Sequence, residues 1–174
     1  MEYQVFSNIN LYRGDIVKKL LNKSCIVSVF ITEIVGIVSG IISLPGMKTY
    51  NEFVVKAPLT PPGWVFVVVW PVLYALMAIG ACLVCRRGDA RRSSCSLNLF
   101  VTQLIVNFFW TPIFFNTFAF GFSLAWILIL WCLVLLMTVC FAKVSKIAAC
   151  IQVPYIIWLS FAIYLNAAVR LLNR

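Results

Sequence analysis

Every residue from Gly121 to Ala142 is uncharged, and most are Leu, Ile, Val, Phe, Trp or Met. Four further apolar runs of similar length lie at about 25–44, 63–85, 97–115 and 147–172. A helix crosses a bilayer with about 20 such residues. Lipid cannot satisfy the backbone of an open strand, so the spans must be helical. The composition agrees. The chain has 174 residues, 63% hydrophobic and only 11% charged, with a mean hydropathy of +1.02. A soluble domain carries about 25% charged residues. The expected fold is therefore an all-α integral membrane protein, a bundle of five transmembrane helices over 25–174. Pro45-Gly46 is expected to end the first span. Residues 1–24 read as a basic N-terminal extension, with an interfacial helix over Leu11–Leu21.

The formal net charge of +9 does not mark a nucleic-acid binder, because the basic residues lie between the apolar runs, where they set topology. One side carries Arg13, Lys18, Lys19 and Lys23, then Arg86, Arg87, Arg91 and Arg92, then Lys143 and Lys146. The other carries only Lys48, Lys56, Arg170 and Arg174. The positive-inside rule predicts a cytoplasmic N-terminus and an outer C-terminus. The N-terminal apolar run begins near Cys25 and is too long for a signal h-region. Cysteine richness and no transit-type leader favour a bacterial cytoplasmic membrane over a mitochondrial outer membrane. Histidine is absent, which removes histidine acid–base chemistry and histidine metal or haem ligation. The seven cysteines are scattered and mostly lie in apolar runs, as small hydrophobes do. Cys82-x-x-Cys85 has a redox or metal spacing without a second pair. The sequence assigns no catalytic residue, no metal and no cofactor.

Polar residues inside spans face other helices or a cavity. Glu33 is the one charge near the middle of a span; it is either a proton or ligand partner or, by preference, a neutral carboxyl bonded to a neighbouring helix. Gly36-x-x-x-Gly40 allows close helix approach, within the chain or between two copies. Gln103, Asn107, Trp110 and Phe114 share a helix face, as do Trp70, Tyr74, Met77 and Ala81, and Trp158, Ala162, Leu165 and Asn166. Such stripes make packing seams or a cavity wall. Trp64, at the end of its span, fits an interfacial aromatic belt. Pro112 and Pro154 are expected to kink their helices and open space between them. Thr60 is placed to cap the second helix, with Pro61 and Pro62 stiffening its entry.

Three ordered segments together resemble the translocator protein family, also called the tryptophan-rich sensory proteins. They are Thr60-Pro-Pro-Gly-Trp-Val-Phe with Val69-Trp70-Pro-Val-Leu-Tyr74-Ala-Leu-Met77; Gln103-x-x-x-Asn107-x-x-Trp110-x-Pro112-Ile-Phe-Phe115; and Pro154-Tyr-Ile-Ile-Trp158-x-x-Phe-Ala162-x-x-Leu165-Asn166. The resemblance covers roughly residues 27–173. It implies five helices around a cavity open toward the first loop, with Leu59, Pro61 and Pro62 in a lid. It implies binding of porphyrins or other hydrophobic polycyclic molecules, with Trp70, Asn107, Trp110, Trp158, Ala162 and Leu165 lining the cavity. Tyr74, Gln103, Phe114 and Asn166 join them by helical spacing. It also implies a homodimer in contact with membrane lipid.

Two positions depart from the family's pattern. Leu59 stands where a tryptophan is common, which weakens the case for a porphyrin-degrading enzyme. Trp126 stands where an acidic residue is common. A sterol-recognition pattern is met by Leu159, Tyr164 and Arg170, but away from the family's usual place, which Ala167-Ala168 occupy. The expected function is a membrane-embedded receptor or carrier for polycyclic ligands such as porphyrins, regulating or transporting them in tetrapyrrole or stress metabolism. The alternatives are a porphyrin-degrading enzyme and a dimerising scaffold.

Overall fold

The computed structural model describes residues 23–87 and 90–173. The proposed interfacial helix at Leu11–Leu21 lies outside them. The described residues form six helices: α1 Lys23–Phe53, α2 Gly63–Arg87, α3 Ala90–Thr117, α4 Phe120–Val144, α5 Lys146–Cys150 and α6 Val153–Leu172. Five helical segments are long and apolar enough to cross a membrane, with α5 and α6 together forming the fifth. The protein is a multi-pass integral membrane protein.

The helix α2 is the hub, in contact with every other helix, while α3 packs on both α1 and α4, and α4 on α6. Half of α2's apolar span is buried inside the protein, against 17% for α1. Thus α2 is the central element and α1 the peripheral one. The buried side of α1 is a narrow stripe of Cys25, Thr32, Ser39, Ser43, Gly46 and Tyr50. All but Tyr50 are small, so α1 lies close to its neighbours. Its outer face presents Ile31, Ile34, Ile37, Val38, Ile41 and Ile42.

The first helix does not stop at Pro45-Gly46; it continues to Phe53. Proline is tolerated in a spanning helix where neighbours satisfy the backbone groups it disturbs. Here the Asn116 amide donates to the Ile42 carbonyl at 3.0 Å, one residue from the carbonyl that Pro45 cannot serve. Gly46 permits this crossing, because a Cβ there would strike the Phe115 carbonyl and the Asn116 side chain. The added turns carry Tyr50 into the core.

The last span is broken rather than merely kinked. Ser145 is extended and caps α5 by accepting from the Ala148 N–H at 3.3 Å. Ile151 and Gln152 form a turn, and Pro154 sits in the first turn of α6, where its missing N–H costs nothing. Gln152 fills the break, fully buried, its amide donating to the carbonyls of Leu76 (3.2 Å) and Ala148 (3.3 Å).

Candidate functional site

Aromatic side chains from four helices meet in the half of the bundle nearest the 54–62 loop. Trp70 lies 5.8 Å from Tyr74 and 6.1 Å from Trp110, centroid to centroid. Trp110 stacks on Phe114 at 5.6 Å, and Phe114 reaches Tyr50 of α1 and Phe120 of α4. Tyr74, Trp110 and Phe114 are buried and Trp70 is half-buried. The structure thus brings together Trp70 and Tyr74 from one predicted helix face and Trp110 and Phe114 from another, and Tyr50 joins them because α1 runs past Pro45. Trp158 belongs to a second aromatic group, with Phe66 at 5.6 Å and Phe161 at 5.8 Å.

Below the aromatic wall lies a polar core. The Asn107 amide donates to the Tyr155 hydroxyl at 2.9 Å, and that hydroxyl donates to Gln103 Oε1 at 3.2 Å. Gln103 Nε2 in turn reaches Met77 Sδ at 3.4 Å. All four residues are buried. The polar hub Tyr155 was not among the residues singled out from sequence. Its signal was present, since it stands three residues before Trp158 and seven before Ala162 on one helix face.

Among the described residues, besides Gln152 Oε1 in the break before α6, two buried polar atoms have no hydrogen-bond partner, Asn107 Oδ1 and Trp158 Nε1. In a low-dielectric interior each such atom costs about 1–3 kcal/mol. One is an acceptor and the other a donor. Asn166, buried on α6, satisfies both its neighbours when its amide is assigned with the oxygen toward the Trp110 indole N–H and the nitrogen toward the Phe120 carbonyl, 3.3 Å each. In that orientation it ties the Trp110 ring to α6. Ala162 is buried and Leu165 half-buried on the same helix.

The 54–62 loop closes over this end. Asn173 pairs with Val55 in both directions, accepting from its N–H and donating to its carbonyl, each at 2.9 Å. The Tyr164 hydroxyl donates to the Pro58 carbonyl at 3.2 Å. Within the loop, the Thr60 N–H and hydroxyl both turn back to the Ala57 carbonyl, at 3.2 and 2.6 Å. Thr60 thus closes a turn and does not cap α2. Leu59, at the third position of that turn, has φ +64° and is 79% exposed. Pro62 is exposed and Pro61 half-buried; the inward residue of the loop is Ala57. Trp64 is 68% exposed, as a residue facing the membrane interface would be.

A comparison with family models matches residues 28–172 to the TspO/MBR family. The chain belongs to that family. It is 35% identical over 125 residues to the tryptophan-rich protein TspO of Chlorobaculum tepidum, covering 71% of this chain and 79% of that one. It is 34% identical over 138 residues to protein CrtK of Rhodobacter capsulatus, covering 78% and 84%. It is 33% identical over 113 residues to the translocator protein of Bos taurus, covering 64% and 67%.

The TspO/MBR match takes in the aromatic wall, the polar core and the loop, and begins three residues after Cys25. Two features of this TspO/MBR chain were not legible in its sequence. Trp126 sends its indole N–H across to the Val106 carbonyl of α3 at 2.8 Å, so it fastens α4 to α3. Cys82 does not act with Cys85; it is disulfide-linked to Cys25 of α1, with Cα atoms 5.5 Å apart.

The Gly36-x-x-x-Gly40 pattern divides in the same way. A Cβ at Gly36 would strike the Tyr74 ring, so that glycine serves packing within the chain. Among the described residues, Gly40 has nothing within 4 Å of its Cβ position. Glu33, half-buried one turn before Gly36, is an electrostatic neighbour of Tyr74.

Proposed function

We propose that this protein binds a flat, hydrophobic polycyclic ligand such as a porphyrin between α2, α3 and α6, as a membrane receptor or carrier. The observation that carries the reading is that two buried polar atoms lack partners among the described residues, Asn107 Oδ1 in the polar core below the aromatic wall and Trp158 Nε1 in the second aromatic group. A ligand with both a donor and an acceptor, such as a pyrrole N–H and a ring nitrogen or carboxylate, supplies what each lacks. Burial of the ligand's faces against Trp70, Trp110 and Phe114 contributes about 25 cal/mol per Å². Aromatic contacts add about 0.5–1.5 kcal/mol each. One relative's name, translocator protein, fits a carrier, and the family's other name, tryptophan-rich sensory proteins, fits a receptor.

Quenching of tryptophan fluorescence by protoporphyrin IX in detergent tests this. Saturable quenching at micromolar ligand is expected, weakened in Trp158→Ala and Asn107→Ala and retained in Gly40→Leu. Quenching that is linear in ligand, or equal in all four proteins, overturns the reading. Conversion of the porphyrin to a bilin-like product under illumination replaces it with the enzyme reading. A dimer lost in Gly40→Leu, with no porphyrin binding, replaces it with the scaffold reading.

A further inference from the structure

The disulfide between Cys25 and Cys82 joins α1 to α2 at the end of the bundle that also carries Arg86, Lys143 and Lys146. The positive-inside count places that end in the cytoplasm. A disulfide there is unexpected as a permanent fixture, because small thiols keep cytosolic cysteines reduced; those that do form are usually transient or redox-sensing. Cys25 opens the first span and Cys82 lies one turn before Arg86, so both stand near the ends of their spans; each is buried in the linked state, so exchange requires these ends of α1 and α2 to part.

The link falls where α1 most needs one. Helices in lipid gain no hydrophobic drive from associating. The bonds between Ser39 and Phe108 and between Asn116 and Ile42 hold the outer half of α1. The inner half meets α2 through small side chains. Cys25 and Gly36 are eleven residues apart, about three full turns, so they share one face of α1. The cross-link therefore fixes the register at which Gly36 sits on the Tyr74 ring.

We propose that Cys25 and Cys82 form a reversible thiol–disulfide exchange site for low-molecular-weight thiols of the glutathione class, and that its oxidised state clamps α1 onto α2. In the forward direction a thiolate of the pair attacks the small disulfide and expels one small thiol, giving a mixed disulfide. The second cysteine's thiolate attacks the protein sulfur of that bond and expels the other. The net exchange is two protein thiols and one small disulfide to one protein disulfide and two small thiols. The cysteines lose two electrons and two protons, which the small disulfide gains.

The test uses the full chain in nanodiscs, equilibrated with glutathione buffers from fully reduced to fully oxidised, quenched by alkylation and mapped by mass spectrometry. A Cys25–Cys82 peptide is expected in oxidised buffer, with both residues alkylated in reduced buffer. Absence of the link in every buffer, pairing of Cys82 with Cys85, or a link that reduced glutathione never opens would each overturn the proposal. The clamp is read separately by hydrogen exchange over residues 26–38. Exchange about tenfold faster in the reduced protein is expected. Cys25→Ser should show the fast rate in both buffers, while Cys85→Ser should keep the redox dependence. Equal exchange rates in the linked and open wild-type protein would remove the clamp.

Discussion

The Ser39 hydroxyl donates to the backbone carbonyl of Phe108 at 2.7 Å. That carbonyl lies four residues before Pro112, which has no N–H to offer it. One helix thus completes the hydrogen bonding that a proline interrupts in another. Ser39→Ala is expected to cost about 1 kcal/mol, in line with interhelical bonds in membrane proteins. In a Pro112→Ala background residue 112 regains its N–H, so the same change should cost much less. Denaturant titration of the four proteins in mixed micelles measures this coupling. Purely additive costs would mean that the proline does not create the need for Ser39.

The two glycines of α1 should respond differently to a methyl group. Gly36→Ala drives a Cβ into the buried Tyr74 ring and should cost about 1–3 kcal/mol, as overpacking does. Gly40→Ala meets open space and should stay within about 0.5 kcal/mol of the parent. Thermal unfolding in one detergent ranks the pair; a larger loss at Gly40 would point to packing against a second copy.

Leu59 holds a left-handed backbone position directly after Pro58, the place in such a turn that favours Gly or Asn. Leu59→Ile should destabilise by about 1 kcal/mol, since β-branched residues tolerate that region least. Leu59→Gly should be close to neutral, strain relief offsetting the added freedom of the unfolded chain. Because the side chain is exposed, neither change should alter porphyrin affinity by more than about twofold. A large affinity loss in Leu59→Gly would mean that the leucine folds inward over the ligand.

Asn173 is the latch of the loop. Asn173→Ala removes both bonds to Val55 and one to the Val169 carbonyl. Hydrogen exchange at residues 54–60 should rise while exchange in the core of α2 stays unchanged. Release of bound porphyrin, followed by stopped-flow fluorescence, should quicken by about tenfold, equivalent to 1.4 kcal/mol. Unchanged release with a freed loop would show that the ligand leaves by another route.

The spans were legible because a bilayer leaves a chain few choices. Long apolar runs must be helices, and the stripes containing Trp70, Asn107 and Trp110 already announced a shared face. The misreadings came where a helix depends on its neighbours. Pro45 looked like a stop because the amide that rescues the disturbed turn, Asn116, is supplied from α3. Thr60 looked like a cap because spacing does not tell which way a hydroxyl turns. Tyr155, Asn173 and the Cys25–Cys82 link depend on contacts between segments far apart in the chain, and no pattern along one segment encodes such a contact.

The outer face of α1 has one more consequence. Its Ile31, Ile34, Ile37, Val38, Ile41 and Ile42 are β-branched, a class that lowers intrinsic helix propensity in water. Lipid reverses the balance, because an open peptide group there has no hydrogen-bond partner. The solvent, more than the residues themselves, holds this helix together. In a loose or short-chained detergent, water reaching that face should unwind α1 before any other span, so the amphiphile chosen for purification acts as a structural component of the protein.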